Sequence, residues 1–191
     1  MKKYALKIFS ALFVLMLIMP TVSAKSVEKE RAEIDELSQK VLTRLYEKYP
    51  SAKRVIKSCY GYSTLGATGT QLGFTGDSHG RGIAFNNRTG EKVYMKMQEF
   101  KLGFGVGVKE FDLVFVFGTP EAWQNFISGK FKFGTEAEAA ATDSINGASL
   151  TGASMVDTGM WVYQTTTKGA SLAATLKGMN IYRNKKLNGE K

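Results

Sequence analysis

Residues 101–117, Lys-Leu-Gly-Phe-Gly-Val-Gly-Val-Lys-Glu-Phe-Asp-Leu-Val-Phe-Val-Phe, constrain the fold more than any other stretch. Leu102, Phe104, Val106 and Val108 alternate with Gly103, Gly105 and Gly107. Strand side chains alternate between faces, so these glycines leave one face bare. Glycine weakens a strand interior, and three of them on one face predict a close approach there, by another backbone or by a ligand. From Phe111 to Phe117 both faces are apolar after Asp112, which predicts a strand buried on both sides at the centre of the fold. Thr119-Pro120-Glu121 then has the order of a helix start: a hydroxyl cap, proline in the first turn, and a carboxylate near the positive helix end. Trp123, Phe126 and Ile127 give that helix an apolar face, and Gly129 can end it.

The first 24 residues read as a leader to be removed. Lys2, Lys3 and Lys7 precede an apolar run from Ile8 to Met19, Pro20 breaks it, and Val22-Ser23-Ala24 supplies small residues before a cut at Ala24/Lys25. That order is a secretory signal peptide, and the run is shorter than the ~20 residues that span a bilayer. Export to the periplasm or the medium follows. Removing 24 of 191 residues leaves 167, the size of one domain. The net charge of +9 becomes +6 once the three leader lysines are gone. A basic exported chain suits anionic partners such as phospholipid head groups, and outside the cytoplasm nucleic acid is not expected. The single Cys59 cannot form an intramolecular disulfide, so packing alone must hold the domain; a small buried apolar role is expected for it.

Residues 26–49 carry Ile34, Leu37, Val41, Leu42, Leu45 and Tyr49 at helical spacing, with charges of both signs elsewhere. Ser26 can cap this amphipathic helix and Pro50 ends it, and Ser51 can cap a second piece over 52–58. The balanced charge favours packing on the domain over lying in a membrane. From Tyr60 to Tyr94 glycine is dense and β-formers lie between, which predicts short antiparallel strands with tight turns. Asn87-Arg88-Thr89-Gly90 is a hairpin signal, and 76–82 reads as a loop or bent edge. Beyond the second helical pattern, 131–133 reads as a brief strand and 136–141 as a helical turn or linker. Residues 144–160 read as an irregular excursion. Strands are expected again over 160–166, 170–176 (after a Lys168-Gly169 turn) and 179–182.

Catalytic constellations are poor. One histidine and one cysteine rule out His- or Cys-rich metal sites, and no cofactor is expected. Asp77-Ser78-His79 has triad residue types, but sequence neighbours cannot reach triad geometry. Gly103, Gly105 and Gly107 lie inside a strand and match no phosphate-loop pattern. No enzyme is expected. The basic residues carry the remaining signal: Lys92, Lys96 and Lys101 near one strand, Lys130 and Lys132 near another, and Arg183, Lys185 and Lys186 at the end. Gathered on one surface, with the glycine-lined face beside them, they would suit anionic lipid heads.

The serial order of these features, over about residues 37–188, resembles the SYLF domain. The resembling segments are Leu45-Tyr-Glu-Lys-Tyr-Pro-Ser-Ala-Lys53, Gly80-Arg-Gly82, Leu102-Gly-Phe-Gly-Val-Gly with Asp112-Leu-Val-Phe-Val-Phe, Ala122 and Phe126, Gly134-Thr-Glu-Ala-Glu-Ala, and Lys168-Gly169 to Leu176-Lys-Gly178. Departures fall at Cys59-Tyr-Gly-Tyr-Ser-Thr, where members carry a more apolar strand, and at Ala170, where leucine is usual. The resemblance implies a non-enzymatic phospholipid-binding domain; an exported member would meet membrane phospholipid rather than actin. It also implies that the glycines at 103, 105 and 107 form the bare face of a central strand in a tightly curved sheet. The expectation is therefore an α+β fold. A leader (1–24) precedes one SYLF-like domain (25–191), helical over 26–58 and β-rich over 60–188. Its N-terminal amphipathic helix packs on a strongly curved, barrel-like antiparallel sheet, with a short helix after the central strands. An envelope protein-interaction role without lipid, and a small outer-membrane β-barrel, are the alternatives.

Overall fold

The computed structural model describes residues 26–130, 144–168 and 179–190. The leader, the 131–133 and 136–141 segments with Lys132, and the 170–176 strand lie outside the described residues. Helix α1 (Val27–Lys48) starts on Ser26, whose side chain accepts a hydrogen bond from the Lys29 amide. It ends at Tyr49, and Ile34, Val41, Leu42 and Leu45 bury its stripe as the spacing predicts. α2 (Ala52–Ser58) follows. Ser51 does not cap it: its backbone is already helical (φ −61°, ψ −29°) and its side chain makes no capping bond.

The β region departs from expectation in its strand lengths. In place of several short strands, Gly61–Asn86 is one strand, β1, and Lys92–Phe117 is another, β2. They pair antiparallel along their whole length, from Gly61 opposite Phe117 to Phe85 opposite Lys92, with one irregularity between Gly73 and Thr75. The 76–82 segment is thus strand rather than loop. The predicted turn closes the hairpin: Asn86 Oδ1 accepts from the amides of Arg88 and Thr89, and Gly90 has φ +75°.

This long ribbon doubles back at Gly73, where φ is +65°. A Cβ placed on Gly80 would lie 3.1 Å from Ala67 Cβ, and one on Gly61 would lie 2.8 Å from the Phe85 carbonyl oxygen. One on Gly82 would overlap the Thr64 carbonyl oxygen. The β1 glycines therefore let the two halves of one strand touch. Close approach of a glycine to backbone is thus seen on β1. At Gly107 an added Cβ would meet nothing within 4 Å. Gly105 sits opposite Gly73, so this glycine run marks the bend.

Helix α3 (Pro120–Ile127) begins as predicted, with Thr119 accepting from the Ala122 amide. The remaining elements are β3 (Ser144–Ile145), β4 (Ala148–Ser149), β5 (Ala153–Asp157), β6 (Met160–Lys168), β7 (Met179–Arg183) and α4 (Lys185–Asn188). The main sheet runs β1-β2-β6-β5, and β7 also pairs with β2. The 144–160 excursion is therefore partly regular. Asn146 (φ 49°) and Gly147 (φ 77°) form a two-residue hairpin turn between β3 and β4, an Asn-Gly signal present in the sequence.

Residues 111–117 of β2 are buried on both faces. Phe111, Leu113, Phe115 and Phe117 join Trp123 and Phe126 of α3 in one core. Val114 and Val116 face α1 and α2 in a second, with Tyr163, Trp161 and Cys59. Phe117 packs edge-on to Trp123 at 5.7 Å and tilted to Phe126 at 4.9 Å, geometries favoured by the ring quadrupoles. A third cluster joins Ile34, Ile83, Tyr94 and Leu187. Arg44 makes a bidentate bond to Asp112 (2.6 and 2.9 Å), and Thr165 donates to the same carboxylate, so one buried group ties α1, β2 and β6 together. Its hydrogen bond to Asp112 holds the Arg44 guanidinium pKa above the usual value. The fold is α+β: an N-terminal helix on a strongly curled antiparallel sheet, a half-barrel.

Candidate functional site

β7 pairs antiparallel with the start of β2, and this builds the site. Tyr182 falls opposite Lys96 on one side, and Arg81 falls opposite Lys96 on the other. Arg81, Lys96 and Tyr182 thus form a row across three strands, with their side chains outside the core. The chain then enters α4, where Asn184 accepts from the Leu187 amide. Asn188 donates to the Tyr94 carbonyl and accepts from its amide, both at 2.9 Å. Arg31 of α1 donates to the Leu187 carbonyl, and Leu187 is fully buried. These bonds fix Lys185 and Lys186 beside the end of β7.

A cleft of about 470 Å³ results, lined by Lys96, Tyr182, Arg183, Lys185, Lys186 and Glu190, with Gly129 at the end of α3. A second cleft of about 630 Å³ lies between α1 and the ribbon. It shares Lys96, Tyr182 and Asn184, and adds Arg44, Arg81 and His79 against Glu30, Glu110 and Asp112. Charges in the larger cleft nearly balance; in the smaller, four cations face Glu190 alone.

The ion pairs decide which cations remain available. Arg183 is engaged by Glu190 (Nε to Oε1 2.7 Å), and Lys186 by Glu30 at 3.1 Å. Lys92 lies away from the cleft and is held by Asp35 at 2.9 Å. Lys96, Lys130 and Lys185 are exposed and have no ion-pair partner among the described residues. Lys130 follows Gly129 at the cleft edge. Of the lysines and arginines singled out in the sequence, the fold therefore gathers Lys96, Arg183, Lys185 and Lys186 into one cleft and leaves Lys92 outside it. Lys101, Gly103 and Gly105 are described by backbone alone, on the ribbon bend. Sequence reading left Arg81 and Tyr182 out of the site; their link to Lys96 is strand register, which only the pairing reveals.

His79 and Asp77 share the outer face, with Nε2 2.6 Å from Oδ2, while Ser78 points the other way and is buried. The strand period separates the serine from the other two. Hydrogen bonds from Thr70 and His79 hold the Asp77 carboxyl below its usual pKa. Cys59 is buried, and burial pushes its thiol up to about 12. No described helix is long and apolar enough to cross a membrane.

Two comparisons bear on this arrangement. A family model described as "Ysc84: Las17-binding protein actin regulator" matches residues 98–190, from the ribbon bend through α3 and β7 to the end of α4. Over 166 residues the chain is 28% identical to the beta cell expansion factor A of Aeromonas veronii. That match covers 87% of this chain and 62% of the relative, so the chain spans less than two thirds of its relative's length. By these matches, and by the serial order of its motifs, the chain resembles the Ysc84 family, the SYLF domain, with residues 98–190 carrying the family match.

Proposed function

We propose that the chain is an exported, non-enzymatic domain that binds anionic phospholipid at the cell envelope through the Lys96 cleft. The observation that carries this function is the gathering of Lys96 and Lys185, neither paired with an acid among the described residues, with Arg183 and Lys186 around one concave surface beside Tyr182. A phosphodiester offers charged acceptors to several ammonium and guanidinium donors at once. Each basic residue near an anionic membrane surface contributes about 1 kcal/mol. The net charge of +6 on residues 25–191 acts in the same direction at longer range. The matching family is described as an actin regulator; the leader-like first 24 residues favour envelope lipid over actin for this chain.

Flotation of the chain lacking residues 1–24 tests the function. The chain should float with vesicles containing anionic phospholipid at low salt and stay at the bottom with purely zwitterionic vesicles. Absence of lipid-dependent flotation at low salt would leave an envelope protein as the partner instead.

A further inference from the structure

Resting on the anionic-lipid function above, we infer that the bend of the β1–β2 ribbon is a membrane-inserting tip, and that its occupant is the acyl-chain boundary of the same bilayer whose head groups meet the Lys96 cleft. Among the described residues, the large exposed apolar side chains are concentrated there. Leu72 is 75% exposed, Val106 81%, Val108 60% and Phe100 62%, and Phe74 is exposed beside them. Leu72 and Val106 are direct cross-strand partners, and Val108 lies on the same face two residues on, opposite Thr70. Such a cluster on an exposed ribbon marks an interaction surface, whereas single exposed apolar residues do not.

Its place relative to the charges selects the occupant. β2 runs from Lys96 through Gln98 to Phe100, alternate residues on one outward face, and then into the bend. At ~3.4 Å per residue, Phe100 lies about 14 Å along the strand from Lys96. A cationic and aromatic row, Arg81, Lys96 and Tyr182, therefore stands one such step behind an apolar end. That is the order of an interfacial protein: apolar groups ~5–10 Å into the headgroup–acyl boundary, with lysine, arginine and tyrosine at the polar level behind them. A second copy of the chain fits less well. Five side chains per copy fall short of the ~20–30 residues a side that a stable protein–protein interface uses. Among the described residues, β6 pairs with β2 only up to Glu110 and β7 only from Glu99, so β1 alone pairs with the bend.

A Val106→Trp reporter tests the inference in the chain lacking residues 1–24. The native Trp123 and Trp161 are buried, so the new indole supplies the environment-sensitive signal. Without lipid it should emit as an exposed indole. With anionic vesicles it should shift to the blue and be quenched by phospholipid brominated on its acyl chains. In the Val106 background, Leu72→Ser/Val106→Ser should lower vesicle affinity about tenfold or more while keeping salt-sensitive flotation on anionic vesicles. Lys96→Glu/Lys185→Glu should abolish flotation and reporter shift together. Flotation without a reporter shift or bromine quenching would overturn the inserting tip and leave the cleft function standing. No flotation of the wild-type chain would overturn both. A blue-shifted reporter before lipid is added, with a doubled mass by sedimentation that Leu72→Ser/Val106→Ser abolishes, would assign the tip to a second copy and overturn the inference.

Discussion

Gly82→Ala should be among the most damaging single-methyl additions in this protein. Alanine suits a strand backbone better than glycine, and with open space around it the exchange would stabilise by ~0.4–1 kcal/mol through the unfolded chain. Here the new Cβ would overlap the Thr64 carbonyl oxygen, stand 2.7 Å from its carbon and lie 3.0 Å from Leu65 Cα. All three atoms are backbone, so no rotamer change relieves the contact. The two halves of β1 would have to separate by about an ångström, opening the neighbouring Gly80–Ala67 contact and loosening the core around Leu65. Overpacking costs ~1–3 kcal/mol where side chains yield, so a backbone obstacle places this change near 3 kcal/mol or above. Domains of this kind hold only ~5–15 kcal/mol in total. With a urea slope of ~2 kcal/mol/M, the unfolding midpoint should fall by about 1.5 M. Gly73→Ala is the control: its Cβ would meet nothing within 4 Å, and only its φ of +65° opposes the change, a cost of ~1–2 kcal/mol. Urea titration of both variants checks the pair. A Gly82→Ala midpoint no lower than that of Gly73→Ala would refute the self-packed ribbon.

Three further outcomes follow from the packing. Arg44→Ala should destabilise by ~2–4 kcal/mol because it leaves the buried Asp112 carboxylate with Thr165 as its remaining side-chain donor; Asp112→Ala should cost less, since Arg44 is partly exposed and can turn to water. Equal midpoints for the two in urea would contradict this asymmetry. Stability should fall as pH rises above 9, because burial raises the Cys59 thiol from its ordinary 9.0 to about 12 in the folded chain: the unfolded chain then loses the proton first. Tyr46 and Tyr163, raised by burial from 10.0 to about 12, add to the fall above pH 10. Thermal melts from pH 8 to 11 should show this decline, smaller in Cys59→Ala between pH 9 and 10; unchanged melting temperatures would contradict it. Asn188→Ala removes both bonds to Tyr94 and should cost ~1–2 kcal/mol, read as faster hydrogen exchange at the Tyr94 amide; retained protection there would show that α4 does not clamp β2.

Much of this fold is legible in the residues. The doubly apolar 111–117 is legible because a strand between two cores has no polar face to show. The Ser26 and Thr119 starts and the Asn87–Gly90 turn are legible because caps and turns are local chemistry. The 61–86 strand is not. Its glycines look like turn punctuation, and their actual use, contact between halves of one strand, depends on partners such as Ala67 for Gly80, Thr64 for Gly82 and Phe85 for Gly61, far along the chain. Ser51 shows the reverse error: a capping residue type in a backbone already helical. α4 is short, with Leu187 as its one buried anchor, and has no periodicity to read. The site was half visible. Lysine and arginine clusters announce charge, but which of them meet is set by β7 pairing with β2 across more than eighty residues of chain. Register brings Lys96 to Tyr182 and Arg81, and an acid on α1, Asp35, draws Lys92 away.

The most direct test of the proposed function is binding of the chain lacking residues 1–24 to anionic vesicles as salt is raised, compared with Lys96→Glu/Lys185→Glu under the same conditions. The wild-type chain should bind at low salt with an affinity that falls steeply as salt screens the cleft, and the double variant should fail to bind at any salt concentration while melting at the wild-type temperature. Wild-type binding indifferent to salt, or undiminished binding by the folded double variant, would contradict a lipid site built on the Lys96 cleft.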